Sequence, residues 1–145
     1  MIIYRFKMNK SITINTSHDR QSLLIILSDP KFVLPKLFPP IKEVEVEVEN
    51  DSFNAHGRFM AMSFNMHGNV LRGADLVYAF YLSAGGGMGQ GKLTMRIKER
   101  EINLEFEYDG WMERMSGIFF MDRWFSGFAR RLDEDVRMER IKRKI

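Results

Sequence analysis

Asp109–Ile145, DGWMERMSGIFFMDRWFSGFARRLDEDVRMERIKRKI, is the stretch whose reading decides the fold. Trp111, Met115, Ile118, Phe125, Phe128, Leu132 and Val136 fall at helical spacing, and Asp109-Gly110 ahead of them reads as the turn that opens a long helix. Such a helix has one apolar stripe to bury. Because nearly everything before it alternates as strands, the order predicts a curved antiparallel sheet closed by the helix, the sheet acting as a cup and the helix as its lid. Gly117 and Gly127 interrupt the stripe at up to about 1 kcal/mol each relative to alanine, which predicts close packing or a hinge there. Beyond Arg130 the helix becomes charged on most faces. Asp133-Glu134-Asp135 can pair with basic residues three or four positions on, while Arg137, Arg140, Lys142, Arg143 and Lys144 suit the carbonyl end. Ile141 and Ile145 are expected to be exposed there, at a fraying last turn.

Upstream of the helix, Ile2, Tyr4, Phe6, Met8, Ile12 and Ile14 share one parity, so Ile2 to Asn15 reads as a first strand. Thr16 or Ser17 is expected to cap a short helix carrying Leu23, Leu24 and Leu27, with Asp19 placed for a capping-box contact. Pro30 ends that helix, and a second helical piece from Lys31 to Leu37 stops before Pro39-Pro40. Val44 to Glu49 alternates strictly, valines to a core and glutamates to water. Phe53 to Asn65 reads as one strand bent near Gly57 or as two short ones, with Met60, Met62, Phe64 and Met66 on one face. Gly68-Asn69 then reads as a turn. Leu76, Tyr78, Phe80 and Leu82 mark the next strand, Leu93, Met95 and Ile97 another, and Ile102, Leu104, Phe106 and Tyr108 the last, joined tightly at Glu99-Arg100.

The predicted fold is therefore α+β, one domain over residues 1–145, with about seven strands in the order β-α-α-β6-α. The order resembles that of the helix-grip superfamily, which includes START lipid-transfer domains, the birch-pollen-allergen type and polyketide cyclase-like proteins (SRPBCC). Within it, Thr16-Ser17-His18-Asp19, Ser28-Asp29-Pro30 and the Trp111 segment resemble small archaeal proteins of the thermoacidophile type. What the resemblance implies is a deep apolar cavity between sheet and C-terminal helix, used by some members to bind lipids or hormones and by others for catalysis.

Composition narrows the chemistry. The chain has 145 residues and no cysteine, which excludes disulfides and thiolate metal sites and leaves a cytoplasmic protein as the expectation. Its 22 basic and 19 acidic residues leave a net charge of +3, too balanced to imply a nucleic-acid partner. Met1 to Met8 is too short and too interrupted by charge for a signal peptide or a membrane span, so no integral membrane contact is expected. The Lys-, Arg- and Glu-rich surface agrees with a thermophile source.

Gly86 to Lys92 matches most of a phosphate-binding loop, but Leu93 stands where a Ser or Thr must reach magnesium, and a strand follows where the loop needs a helix. Gly85, Gly86, Gly87, Gly89 and Gly91 read instead as a pliable hairpin connection, a candidate gate over a cavity mouth. His18, His56 and His67 lack metal-ligand spacing, so neither a metal nor a cofactor is predicted. Asp75 and Tyr78 point to opposite faces of one strand and make no acid–base pair. Arg58, Asp122 and Arg123 are the charged residues that the pattern allows to face the cup.

Eleven methionines supply unbranched, polarizable side chains that adapt to varied apolar surfaces. The predicted cavity lining is Met60, Met62, Phe64, Met66, Tyr78, Phe80, Met95, Phe106, Phe125 and Phe128. The expected function is non-catalytic binding or transport of a hydrophobic or amphiphilic small molecule, such as a lipid, fatty acid or isoprenoid. Two alternatives follow from the resemblance: a polyketide cyclase- or hydratase-like enzyme, and a co-chaperone-like interaction module.

Overall fold

The computed structural model describes residues 4–59, 61–85, 87–112 and 118–145, with only the backbone described at 4–6, 111–112 and 118–120. Its elements are β1 (Tyr4–Asn15), α1 (Arg20–Leu27), α2 (Pro30–Leu37), β2 (Ile41–Glu47), a 3-10 turn (Val48–Asn50), β3 (Ser52–Phe59), β4 (Met62–Arg72), β5 (Leu76–Ala84), β6 (Gly87–Lys98), β7 (Glu101–Met112) and α3 (Ile118–Arg143). The strands form a 7-stranded sheet in the order β1-β7-β6-β5-β4-β3-β2, and every neighbouring pair is antiparallel. This is the helix-grip α+β architecture expected from the order of elements. A meander from β2 to β7 needs only hairpins, and β1 completes the sheet by pairing with β7 once the chain has carried α1 and α2 across to the opposite edge.

Several boundaries differ from the expected ones. Asp109-Gly110 opens no helix: β7 continues to Met112 because β1 supplies partners along its whole length, with Lys7 opposite Asp109 and Phe6 opposite Gly110. The described helix begins at Ile118, while Met115 and Gly117 lie outside the described residues and Trp111 belongs to β7. Asp19 itself caps α1, accepting the Ser22 N–H, which frees Thr16 for another contact. Asp29 caps α2, and Pro30 opens this second helix with only Ser28 and Asp29 between it and the first. Gly68-Asn69 is no turn. Both residues pair with β5, so the inward set of β4 runs on to Val70. Val48 leaves the strand for the 3-10 turn and is 81% exposed, contrary to its place in the alternating run.

Inward parity of the apolar residues is kept along the strands except in β2, where the register shifts between Ile41 and Glu43, and in α3 the predicted helical stripe persists as Phe125, Phe128, Leu132 and Val136, with Met121 extending it. These side chains meet Ile97, Ile102, Leu104 and Phe106 from the sheet and Leu23, Ile26, Leu34 and Leu37 from the short helices in one buried cluster. Burying each large aliphatic or aromatic side chain contributes about 1.5–3 kcal/mol, so this cluster holds the helix in its grip on the sheet. Outside it, Lys42, Glu43, Glu45 and Glu47 line the exposed edge strand β2 with charge, which discourages pairing with another chain.

Candidate functional site

Where the N-terminal end of α3 meets the β3–β4 and β5–β6 hairpins, the described side chains leave the core unfilled. A cavity of about 130 Å³ opens there. Its walls come from Met8 of β1, Phe38, Pro40 and Ile41 after α2, Phe59 of β3, Met62, Phe64 and Met66 of β4, Phe80, Leu82 and Ala84 of β5, Phe106 and Tyr108 of β7, and Met121 and Trp124 of α3. Among these described side chains only the Tyr108 hydroxyl and the Trp124 indole carry polar atoms. Burial, with the Asp109 carboxylate beside it, pushes the Tyr108 phenol up to about 12, so it is a neutral hydroxyl at physiological pH.

Of the predicted lining, Met62, Phe64, Met66, Phe80 and Phe106 meet at this cavity. Met60 lies outside the described residues. Tyr78, Met95, Phe125 and Phe128 face inward but sit in the packed half of the cup and do not reach the cavity wall. Tyr78 is fully buried, its hydroxyl donating to the Leu27 carbonyl at 2.6 Å, and burial raises its phenol above the ordinary range. Phe125 packs edge-on against Phe106 and Phe38, with ring centroids 5.7 and 6.3 Å apart. Arg58, Asp122 and Arg123 are exposed and do not enter the cup. Asp122 instead pairs with Lys10 on the outside. Strand parity alone reaches Leu82, Ala84 and Tyr108. Phe38, Pro40 and Ile41 carry no such signal, because the path of the chain after α2 depends on how the helices dock.

The glycine-rich run is not a long hairpin connection. Gly87, Gly89 and Gly91 belong to β6, all three pairing with β5 and the last two also with β7; Gly85, at φ 57°, follows β5, and Gly86 lies outside the described residues. Gly89 and Gly91 face into the cup. A Cβ on Gly89 would stand 2.0 Å from the Tyr108 hydroxyl, and one on Gly91 would stand 2.4 Å from the Phe80 ring. The two glycines therefore let aromatic rings lie flat on the sheet. The space above those rings becomes part of the cavity.

At the opposite end, α3 is clasped by polar contacts. Asp133 accepts from the Thr16 hydroxyl at 2.6 Å, the Ser17 N–H at 3.0 Å and the Ser17 hydroxyl at 2.9 Å. His18 donates from Nε2 to the Asp133 carbonyl at 2.8 Å, and Arg140 donates to its Nδ1 at 3.2 Å. Partial burial works against ionisation of Asp133, but the Thr16 and Ser17 hydrogen bonds outweigh it and hold the carboxyl below the usual range. Arg143 bridges Asp29 and Glu139, at 2.6 Å to each. Among the described residues no group of three His, Asp or Glu side chains is placed to hold a metal ion, and no helix is long and apolar enough to cross a membrane.

The backbone carrying this cavity is similar to that of several solved structures. An uncharacterised protein from Rhizobium leguminosarum aligns with a TM-score of 0.68 at 6% identity, over 95% of this chain and 99% of the other. A START superfamily protein from Mycobacterium smegmatis aligns with a TM-score of 0.58 at 12% identity, over 91% and 97%. The Zhui aromatase/cyclase from a Streptomyces species aligns with a TM-score of 0.57 at 14% identity, over 91% and 87%. At these identities the likeness is one of fold. No curated protein matches the sequence. A family model whose description reads only "-like" matches residues 8–145, and the chain thus belongs to that family, built on the helix-grip fold that it shares with the START superfamily.

Proposed function

We propose that the protein binds a hydrophobic or amphiphilic small molecule in the cavity between the sheet and α3, without catalysing a reaction on it, and acts as one cytoplasmic domain. The observation that carries this reading is the cavity wall: among the described side chains it is hydrocarbon, thioether and aromatic surface, with the Tyr108 hydroxyl and the Trp124 indole as its polar groups. Packing alone favours filling such a void, since an empty apolar cavity forfeits dispersion contacts along its whole lining. Four methionines, Met8, Met62, Met66 and Met121, add a lining that adjusts its shape at small cost.

A cyclase or hydratase would need groups that move protons at the reacting atoms. The described wall contains no carboxylate, imidazole, guanidinium or ammonium, and Tyr108 holds its proton. That balance favours binding over catalysis. The charged β2 edge likewise weighs against a partner protein adding a strand there. Native mass spectrometry of gently purified protein, followed by solvent extraction, tests the reading. A discrete adduct that disappears on extraction and returns with an apolar compound is expected. Persistent apo mass, together with no shift in thermal stability across a panel of apolar compounds, would overturn it.

A further inference from the structure

Granting the binding reading above, we propose that the ligand is a compact, uncharged molecule whose apolar body is about the size of one aromatic ring, and that Phe38 with Phe106 sets its length. At about 130 Å³ the cavity matches the roughly 150 Å³ apolar void known to take up benzene and falls below the roughly 300–1,000 Å³ of common ligand pockets. A long acyl chain exceeds this volume and could not be enclosed by it.

The limit is built in by the floor. Phe38 ends α2 with its backbone pinned on both sides: its N–H donates to the Leu34 carbonyl at 2.9 Å, and its own carbonyl accepts the Ile41 N–H at 2.9 Å. Its ring stands 5.7 Å from Phe106 and 6.4 Å from Trp124, centroid to centroid, and Phe106 stacks on Phe80 at 5.9 Å. Behind that floor lie the fully buried Phe125 and the close-packed half of the cup. Charge is excluded for a separate reason. No ionised side chain in the described wall is available to pair with a carboxylate or an amine, and an unpaired charge in such surroundings gives up its hydration without return.

The test follows methionine methyl NMR signals of the whole protein during titration with toluene, indole, naphthalene and myristic acid. Met62, Met66 and Met121 line the cavity, whereas Met95 is buried elsewhere and Met138 is exposed, so these two serve as internal controls. Toluene and indole are expected to move the first group and leave the controls still, with myristic acid at the same concentration moving neither. Phe38→Ala should raise naphthalene affinity at least tenfold, and Phe38→Leu should do so by a smaller factor. Should the alanine variant fail to fold, the leucine variant carries the test. Ala84→Leu, which fills the cavity from the β5 side, should weaken toluene binding at least tenfold. Tighter binding of myristic acid than of the ring probes would overturn the size limit and leave the binding reading intact. Equal naphthalene affinity in wild type and both Phe38 variants would overturn the role of the floor. Methionine signals unmoved by every probe would overturn both.

Discussion

The two ends of the cup are made by the same strands and the same helix, and they are built in opposite ways. Toward the C-terminal half of α3, Leu132 and Val136 are buried against Leu23, Ile26 and Leu34, and a ring of hydrogen bonds from Thr16, Ser17 and His18 fastens the helix from outside. Toward its N-terminal end, Met121 and Trp124 look across a void at Met62, Phe64 and Leu82. One end concentrates close packing and polar contacts, and the other leaves a void among apolar side chains. Under the proposed binding role, stability and ligand access fall to different turns of one helix, a division that would let the hollow end open without loosening the grip.

Mutation should expose that division most strongly in the packed half. Leu132→Ala removes a side chain that is 1% exposed and leaves a cavity the close-packed surroundings fill poorly, so a loss of about 2–5 kcal/mol is expected. Met62→Ala at the cavity should cost about 1 kcal/mol or less, because much of the surface it would abandon already faces empty space. Urea unfolding of the two variants side by side measures the contrast. Equal losses would mean that the void is no weaker than the packed half.

Next in size is the glycine platform. Gly89→Ala drives a methyl group into the Tyr108 ring, a clash that shifting Tyr108 into the cavity relieves at about 1–3 kcal/mol. The same shift takes away ligand volume. Loss of stability and loss of ring-probe binding should therefore appear together in this variant, whereas Leu132→Ala should lose stability with binding retained in the fraction that stays folded.

The clasp is expected to show itself in acid. A carboxyl whose pKa is lower in the folded than in the unfolded chain stabilises the fold wherever it is ionised. Asp133 therefore contributes fully above its ordinary value of about 4, and the contribution disappears as the pH falls through its lowered folded value. Asp19, depressed by the Ser22 N–H that it caps, works in the same direction. Asp133→Asn should cost about 1–2 kcal/mol near neutrality, the lower part of the range being expected because water screens a half-exposed group, and should flatten the acid side of the stability profile. Glu134→Gln, which breaks the exposed pair with Arg137, should flatten that profile much less, because water screens the pair.

How far these features were legible in the sequence follows the same division. Strand parity identified Met62, Phe64, Met66, Phe80 and Phe106, since a period of two fixes which face a side chain takes as soon as the strand is known. Neither strand parity nor the helical period tells hollow from filled, so both point Tyr78, Met95, Phe125 and Phe128 inward without showing that they lie in the packed half. That distinction depends on how far each ring reaches and what meets it. Phe38 closes the floor from a segment with no period at all, and Asp133 finds Thr16 and Ser17 more than a hundred residues away. The glycines misled for a related reason. Local signals read Gly87 to Gly91 as a loop and Gly68-Asn69 as a turn, whereas pairing with β5 keeps all of them in strands, with second partners in β7 from Gly89 on and in β3 for Gly68 and Asn69.

The smallest expected effect lies on α3 between the two ends. Gly127 lowers helix propensity by up to about 1 kcal/mol relative to alanine, yet α3 runs through it unbroken from Ile118 to Arg143. A Cβ there would meet only the Arg131 guanidinium, at 2.8 Å, and that is the far end of a flexible side chain which can swing into water. Tight packing against the sheet therefore does not require this glycine. Gly127→Ala should stabilise the protein by about 0.5–1 kcal/mol, read as a rise in Tm. If ring-probe affinity is unchanged, the residue is no hinge and the open end works without bending the helix. If stability rises while probe association slows, α3 flexes at Gly127 when a ligand enters, and the boundary between the packed and hollow halves is the point about which the lid moves.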